Sequence, residues 1–364
     1  MIKCNNVQEQ AHDLTEAIFE QWRNVLWSGD FILGEEASQF ETWMSGRCNA
    51  AHVVSMNSGT DALILAMRAL GVRAGDEVIT CSNTFIATVG AIVAVGAHPV
   101  LADVEDDELI SVQTIEPLLN TKTKAVVTVH LRGRPVDITP IVAVCRPRGV
   151  AVIEDCAQAI GTFIEGRQVG TFGDAAAFSF HPLKTLGGLG DAGALVTTRA
   201  HIADYARDMR NHGLRSRDEV LCFGINSRLD ALQAAALNIK ATHLDQWLQR
   251  RKEIAAYYDS VLANTATGPD LGRGKVGSSY YHYVVRSHKR DELHRYLAHN
   301  GIQTAIHYPT PIHSQPAWMG CMPAVTLPVT ERLAREILTL PCHHHLSDGD
   351  VERVAVAIRE FDLR

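Results

Sequence analysis

The stretch Phe178-Ser179-Phe180-His181-Pro182-Leu183-Lys184-Thr185-Leu186-Gly187-Gly188-Leu189-Gly190-Asp191-Ala192-Gly193 sets one lysine between a short apolar strand with a serine at its end and a glycine-rich turn. A second apolar stretch, Ala194 to Thr198, follows it. An isolated lysine is ordinarily a solvated surface charge. Lys184 departs from that expectation because a strand and a tight turn constrain it. A neutral amine so placed can capture an aldehyde covalently and then shuttle a proton, provided burial and a nearby cation lower its pKa.

Working outward, β-branched runs predict strands at Glu77–Thr80, Pro99–Val104, Ala125–His130, Val150–Glu154, Ala175–Phe180 and Ala194–Thr198. Helical patterns fall between several of them, at Asp61–Leu70, Phe85–Val95, Val112–Leu119 and Ile138–Arg148. Such alternation predicts an α/β fold with a mostly parallel sheet covered by helices. From Ile202 to about Leu262 the pattern turns helical, interrupted by a loop near Asn211–Asn226. A glycine-rich break, Gly268–Gly277, precedes a strand at Tyr281–Val285 and a helix at Lys289–Asn300. A last helix, with Val351, Val354, Ala355, Ile358 and Phe361 on one face, has Ser347 as its expected N-cap. We expect a large α/β domain over residues 1–245 and a smaller α+β domain over 246–364.

Two further stretches carry chemistry. Asn57-Ser58-Gly59-Thr60-Asp61 places hydroxyls and a glycine directly before a helix, where free N–H groups and the helix dipole favour a phosphate. Plain N-capping by Ser58 or Thr60 is the other reading. Val152-Ile153-Glu154-Asp155-Cys156-Ala157-Gln158 is an apolar strand ending in two acids, and active-site groups in open α/β sheets collect at such carboxyl ends. A carboxylate there would pair with a protonated pyridine nitrogen, or simply cap the next helix. Lysine, carboxylate and phosphate seat together are what pyridoxal phosphate requires.

Gly188-Leu189-Gly190-Asp191-Ala192-Gly193 also matches the G-x-G-x-x-G dinucleotide fingerprint. That fingerprint needs a strand before it and a helix after it, and here a strand follows, so the nicotinamide reading is rejected.

Bulk properties set the frame. The 364 residues suffice for a large core and two lobes, and 46% hydrophobic with 21% charged residues is ordinary for a globular protein. A formal charge of -7 gives no reason to expect nucleic acid or a membrane surface as partner. The eight cysteines lack C-x-x-C or zinc-like spacing and read as reduced thiols. With no signal peptide or spanning segment visible, a cytoplasmic location is expected.

In order along the chain, Phe31-Ile32-Leu33-Gly34, Ser58-Gly59-Thr60-Asp61-Ala62-Leu63, Thr84-Phe85-Ile86-Ala87-Thr88, His130-Leu131, Glu154-Asp155-Cys156-Ala157-Gln158, the lysine run, Gly224-Ile225-Asn226-Ser227-Arg228-Leu229-Asp230 and His307-Tyr308-Pro309 resemble the DegT/DnrJ/EryC1/StrS family of sugar aminotransferases. The resemblance runs nearly end to end. It implies the aspartate aminotransferase-like fold (fold type I) and a pyridoxal 5'-phosphate cofactor. It further implies that Lys184 forms the Schiff base, Asp155 holds the pyridinium N–H and Gln158 sits near the phenolic oxygen. Ser58, Gly59, Thr60 and Ser179 would bind the phosphate, and Phe85 would stack on the ring. Asn226 would reach the phosphate of the neighbouring subunit, making a homodimer with shared sites. Arg228, His307 and Tyr308 are the implied substrate-binding residues.

The family's dehydrating relatives carry histidine in place of the lysine, so Lys184 implies amino transfer. The implied donor is L-glutamate and the implied acceptor a nucleotide-linked keto sugar, a 3-keto-6-deoxy sugar on the resemblance of the Leu186–Asp191 turn. A 4-keto sugar, an amino-cyclitol or a non-catalytic regulatory role are the alternatives. Two features depart from the pattern or distract from it. Arg132, followed by Gly133 and Arg134, stands where relatives often have tyrosine; the two arginines either read a substrate anion or lie on the surface. His343-His344-His345 suggests a metal, but consecutive histidines cannot all face one ion in a regular element, so no metal is expected.

Overall fold

The computed structural model describes residues 1–263, 265–269 and 276–364. Of the glycine-rich break at 268–277, residues 270–275 lie outside the described residues. Three helices come first: α1 (Val7–Asp13), α2 (Thr15–Ser28) and α3 (Glu35–Cys48). The alternating part follows as β1 (His52–Met56), α4 (Gly59–Ala69), β2 (Glu77–Cys81), α5 (Ile86–Ala94), β3 (His98–Ala102), α6 (Val112–Ile115), β4 (Thr123–Val129), α7 (Ile138–Cys145) and β5 (Ala151–Asp155). A small hairpin, β6 (Phe163–Ile164) and β7 (Arg167–Gln168), leads to β8 (Ala175–Ser179) and β9 (Gly193–Thr197). Then come α8 (Ala200–Arg210), α9 (Ala231–Ala241), α10 (Leu244–Leu262), β10 (Gly268–Pro269), β11 (Tyr283–Arg286), α11 (Arg290–His299), α12 (Pro316–Met319), α13 (Pro328–Glu336), β12 (Ile337–Leu340) and α14 (Asp348–Asp362).

Seven strands form one sheet in the order β1-β9-β8-β5-β4-β2-β3, in which only β9 runs against the rest. Both faces are apolar, as a mostly parallel sheet between helices requires. The period of two shows directly. Ala176, Phe178, Ala194 and Val196 enter a core with Phe40 and Met44 of α3 and Leu237 of α9. Their neighbours Ala175, Ala177 and Leu195 enter another with Leu65 of α4 and Ile202 of α8. This is the mostly parallel α/β architecture expected from the alternation.

The small domain is a three-stranded sheet, β10-β11-β12, backed by helices. Helix α10 joins the two cores: Leu244 and Leu248 pack in the first, Ile254, Tyr258 and Leu262 in the second. Ile2 also packs in the second core and bridges Ile302. Ser347 caps α14 as expected, its hydroxyl accepting from the Asp350 N–H. Among the described residues, five strands were not anticipated: the two-residue β6, β7 and β10, and the longer β1 and β12. Strand β12 follows α13 at Glu336/Ile337 with no intervening turn residue, so nothing in the sequence marks the change of period.

Register explains why the site forms. Gly193 of β9 lies opposite both Met56 of β1 and Ser179 of β8, while Asp155 of β5 lies opposite Ala177. The carboxyl ends of β1, β8 and β5 therefore share one edge, and each delivers the segment that follows it there.

Candidate active site

Lys184 sits on the loop between β8 and β9. The loop closes on itself: Gly188 N–H donates to the Phe180 carbonyl at 2.7 Å, Lys184 N–H to that of His181 at 2.8 Å, and Phe180 N–H to that of Ala192 at 2.8 Å. Helix α9 supports it from behind. Gln233 Oε1 accepts from Leu189 N–H at 2.8 Å, and the fully buried Lys240 donates to the Gly187 carbonyl at 2.7 Å. A Cβ on Gly190 would lie 2.8 Å from Gln233 Nε2, so close packing rather than nucleotide binding explains that glycine. Lys184 itself is half-buried, its Nζ 5.0 Å from the centre of the Tyr281 ring. Burial lowers its pKa to about 8 against the opposing pull of Asp155. At that pKa roughly a tenth of the amine is neutral at pH 7 and about half at pH 8, far more than for an ordinary lysine, and the neutral form is what nucleophilic capture demands.

The two adjacent acids do different work because neighbours on a strand face opposite sides. Asp155 is buried, with Oδ2 accepting from Thr88 Oγ1 at 2.8 Å and Oδ1 from Ala157 N–H at 3.0 Å. Thr88 has one proton and spends it on Asp155, so the 2.9 Å contact between Thr84 and Thr88 must have Thr84 as donor. Burial raises the Asp155 pKa, and the hydrogen bonds from Ala157 and Thr88 oppose that rise. Glu154 instead takes the N–H groups of Gly170, Phe172 and Gly173, each at 2.8 Å. His130 Nδ1 accepts from Val136 N–H, which leaves the ring proton on Nε2 to be donated to Glu154. Burial pushes Glu154 up, but the bonds from His130, Gly173 and Gly170 outweigh it and hold the acid below the usual carboxylate range. Among the described residues, His130, Glu154 and Cys156 have ligand atoms within 4.8 Å of one another. His130 and Glu154 are already engaged as above, and burial keeps the Cys156 thiol protonated.

At the start of α4, Ser58 is the N-cap and its hydroxyl accepts from Asp61 N–H at 3.1 Å. The N–H groups of Gly59 and Thr60 lie in the first turn, where no intrahelical acceptor exists. A Cβ on Gly59 would lie 2.9 Å from the Ser179 Cβ, and one on Gly193 would collide with the Ser58 carbonyl. Backbone contact thus gathers Gly59, Thr60 and Ser179 around a helix N-terminus. Phe85, the N-cap of α5, is 54% exposed and its ring lies 6.0 Å from that of Tyr308. Gln158 Nε2 donates to the Tyr308 hydroxyl at 3.4 Å. His307 stacks on His282 at 4.0 Å and meets Thr339 Oγ1 through Nδ1 at 3.0 Å; burial, with Arg132 and Lys184 nearby, lowers its pKa to about 4.

The segment with Asn226 and Arg228 is tied to Asn57, directly before the Ser58 N-cap, and to Asn211. Ser227 Oγ donates to Asn57 Oδ1 at 3.1 Å, Arg228 donates to Asn211 Oδ1 at 3.0 Å, and Asn226 is exposed. Both readings of Arg132 and Arg134 need correction. Both are buried and bonded to protein groups: Arg132, whose left-handed backbone (φ 62) turns its side chain inward, to the His307 carbonyl, and Arg134 to the Asp107 carbonyl. The three consecutive histidines have separate neighbours: His343 the Lys3 carbonyl, His344 the Trp247 ring at 4.5 Å, and His345 the Asp13 carboxylate at 3.7 Å. Thr88, Tyr281 and His282 were not identified beforehand as site residues. Thr88 had a readable signal, one turn after Phe85 in a helix aimed at the strand ends; Tyr281 reaches Lys184 from the small domain, and His282 stacks on Tyr281 and His307 there, which no local pattern reveals.

The profile of the DegT/DnrJ/EryC1/StrS aminotransferase family matches residues 12–359. The chain belongs to this family. It is 41% identical to the erythromycin biosynthesis sensory transduction protein EryC1 of Saccharopolyspora erythraea, over 95% of this chain and 96% of that protein. It is also 41% identical to dTDP-3-amino-3,4,6-trideoxy-alpha-D-glucose transaminase of Streptomyces venezuelae, over 93% and 90% of the two chains. The crystal structure of S. venezuelae DesV in complex with a ketimine intermediate superposes with a TM-score of 0.97 at 38% identity, covering 100% of this chain and 99% of that one. As a member of the DegT/DnrJ/EryC1/StrS family, this protein is a pyridoxal-phosphate-dependent transaminase with the aspartate aminotransferase-like fold type I. The residues present fit that cofactor: an amine of lowered pKa, a buried carboxylate, and a helix N-terminus whose glycine leaves no room for a side chain.

Proposed function

We propose that the protein transfers an amino group from L-glutamate to a nucleotide-linked 3-keto-6-deoxy sugar. The observation that carries this reading is Lys184, a half-buried amine of lowered pKa on the same strand edge as Asp155 and the α4 N-terminus. Lys184 would hold the aldehyde carbon of pyridoxal phosphate, Asp155 its ring N–H, Gln158 its phenolic oxygen, and Ser58, Gly59, Thr60 and Ser179 its phosphate. Phe85 would cover one face of the ring. When bound, the cofactor supplies an electron-withdrawing ring that accepts the electron pair left on carbon as a proton departs. Lys184 Nζ would shuttle that proton from the donor's α-carbon to the cofactor's former aldehyde carbon. Asp155, kept buried and hydrogen-bonded by Thr88 and Ala157, would hold the ring nitrogen in its protonated form.

His307 and Tyr308, with Arg228, would face the sugar nucleotide. Amination at C3 is favoured by the Leu186–Asp191 turn and by the 3-amino product named for the Streptomyces venezuelae relative. We also propose a homodimer with shared sites, in which Asn226 serves the neighbouring cofactor phosphate. Its segment ends in a fully exposed Phe223, beside exposed Val220 and Leu221, and Leu26 and Trp27 of α2 are exposed as well. Exposed apolar side chains in this number favour a protein interface.

The test is a half-reaction. L-glutamate should convert the loaded protein to the pyridoxamine form, and a dTDP-linked 3-keto-6-deoxyhexose should restore the original spectrum. Restoration by the 4-keto isomer alone would reassign the carbon. Failure with glutamate and with every keto sugar would favour a regulatory role, which the name of the Saccharopolyspora erythraea relative suggests for that protein. Mixing Lys184→Ala with Asn226→Ala chains should regain part of the native activity, since a mixed dimer contains one intact shared site.

A further inference from the structure

Arg132 stands where the family pattern often has tyrosine, and its environment is specific. It is 1% exposed, and its left-handed backbone is one that side-chain-bearing residues seldom adopt. Its Nη1 is paired with the carboxylate of Glu108, itself buried and left-handed (φ 68), whose other oxygen accepts from Asn83 Nδ2 at 3.1 Å. Nη2 donates to the His307 carbonyl at 2.6 Å. The Arg132 backbone N–H donates to Gln158 Oε1 at 2.6 Å, which turns Nε2 of that amide toward Tyr308. One residue therefore ties the 105–110 loop, the strand end carrying Gln158, and the small-domain segment 307–308. A tyrosine has a single hydroxyl proton and cannot donate to Glu108 and His307 together. A substrate anion has no access to the guanidinium, because Glu108 already occupies it out of solvent.

We propose that Arg132 is a positioning residue that seats His307 and Tyr308 and so sets the grip on the sugar-nucleotide acceptor without touching it. The inference rests on the reading above of residues 307–308 as the acceptor wall. Strained backbone at two facing residues is maintained where the surrounding structure fixes it, commonly at functional sites. A buried ion pair is weak evidence for stability, so its work here is geometric.

The experiment uses the full chain as native protein and as Arg132→Lys, Arg132→Gln and Glu108→Gln. Hydrogen exchange of the peptide spanning 303–310, without cofactor, should quicken about tenfold or more in Arg132→Gln and Glu108→Gln, and less in Arg132→Lys, as loss of a charged hydrogen bond implies. In loaded protein, the KM for a dTDP-linked 3-keto-6-deoxyhexose should rise by a similar factor. The cofactor band and the rate of the glutamate half-reaction should stay within about threefold, since that side of the site is untouched. Unchanged exchange at 303–310, or equal losses in both half-reactions, would overturn the proposal. If Arg132→Gln does not fold, Arg132→Lys and Glu108→Gln carry the same comparison. A native protein that shows no cofactor band would sink the function reading alone, because exchange in the cofactor-free chain still decides whether Arg132 seats the segment.

Discussion

Replacing Thr88 by valine changes one hydroxyl for a methyl at nearly constant volume, inside the hydrogen-bond chain Thr84–Thr88–Asp155. Asp155 Oδ2 loses a donor at 2.8 Å in a buried site, and the Thr84 hydroxyl loses its acceptor. A hydrogen bond to a charged group is worth about 1.5–3 kcal/mol, which corresponds to roughly 1–2 pKa units. The Asp155 pKa, already raised by burial, should therefore rise further. A carboxyl whose folded pKa lies above its unfolded value is most favourable to folding when protonated. The stability lost on substitution is then largest at pH above the raised folded pKa values of the native and variant carboxyl, and it shrinks as pH falls through them, a window above the usual carboxylate range. A less ionised Asp155 also holds a protonated pyridine nitrogen less well, so pyridoxal phosphate should bind about 10–100-fold more weakly, the same 1.5–3 kcal/mol expressed as affinity. Absorbance titration of the apo-protein measures this, with Thr88→Ser as control because it restores the hydroxyl. Native affinity in Thr88→Val, or an equal loss in Thr88→Ser, would refute the reasoning.

Gly59→Ala places a methyl 2.9 Å from the Ser179 Cβ and 3.2 Å from the Phe178 carbonyl. Overpacking of this kind costs about 1–3 kcal/mol and should lower the urea midpoint while weakening cofactor binding; an unchanged midpoint would show that the α4 N-terminus is not held against β8. Lys184 and Lys240 each have a pKa lowered by burial to about 8 from the ordinary 10.5. The unfolded chain binds more protons than the folded one between those values, so apo-protein stability should climb from pH 8 toward 10. Lys184→Met and Lys240→Met should each flatten that slope in chemical denaturation, and an unaltered slope would contradict the burial of the substituted amine.

The fold and the chemical centre were legible because their signals are local. A strand, a lysine and a glycine turn lie within sixteen consecutive residues of the lysine run, and the apolar strand ending in Glu154-Asp155 identifies its carboxyl end. Which acid faces the site was read from the family resemblance alone, since alternation places neighbours on opposite faces without saying which face is which. Arg132 and Arg134 were misread because composition treats arginine as exposed, whereas a single left-handed residue turned Arg132 inward onto Glu108. Tyr281 meets Lys184 only through packing of the small domain on the large one, a long-range contact with no sequence period. The first three helices went unassigned although Ala37, Phe40, Met44 and Cys48 mark a buried helical stripe; their polar intervening residues masked it.

The account stands on covalent capture of the cofactor by one particular amine. Borohydride reduction of the pyridoxal-phosphate-loaded protein, followed by peptide mass analysis, should find the reduced pyridoxyl group on Lys184 and no visible absorbance band in Lys184→Ala. Absence of any adduct, or its presence on another lysine such as Lys240 with the band surviving in Lys184→Ala, would contradict the account.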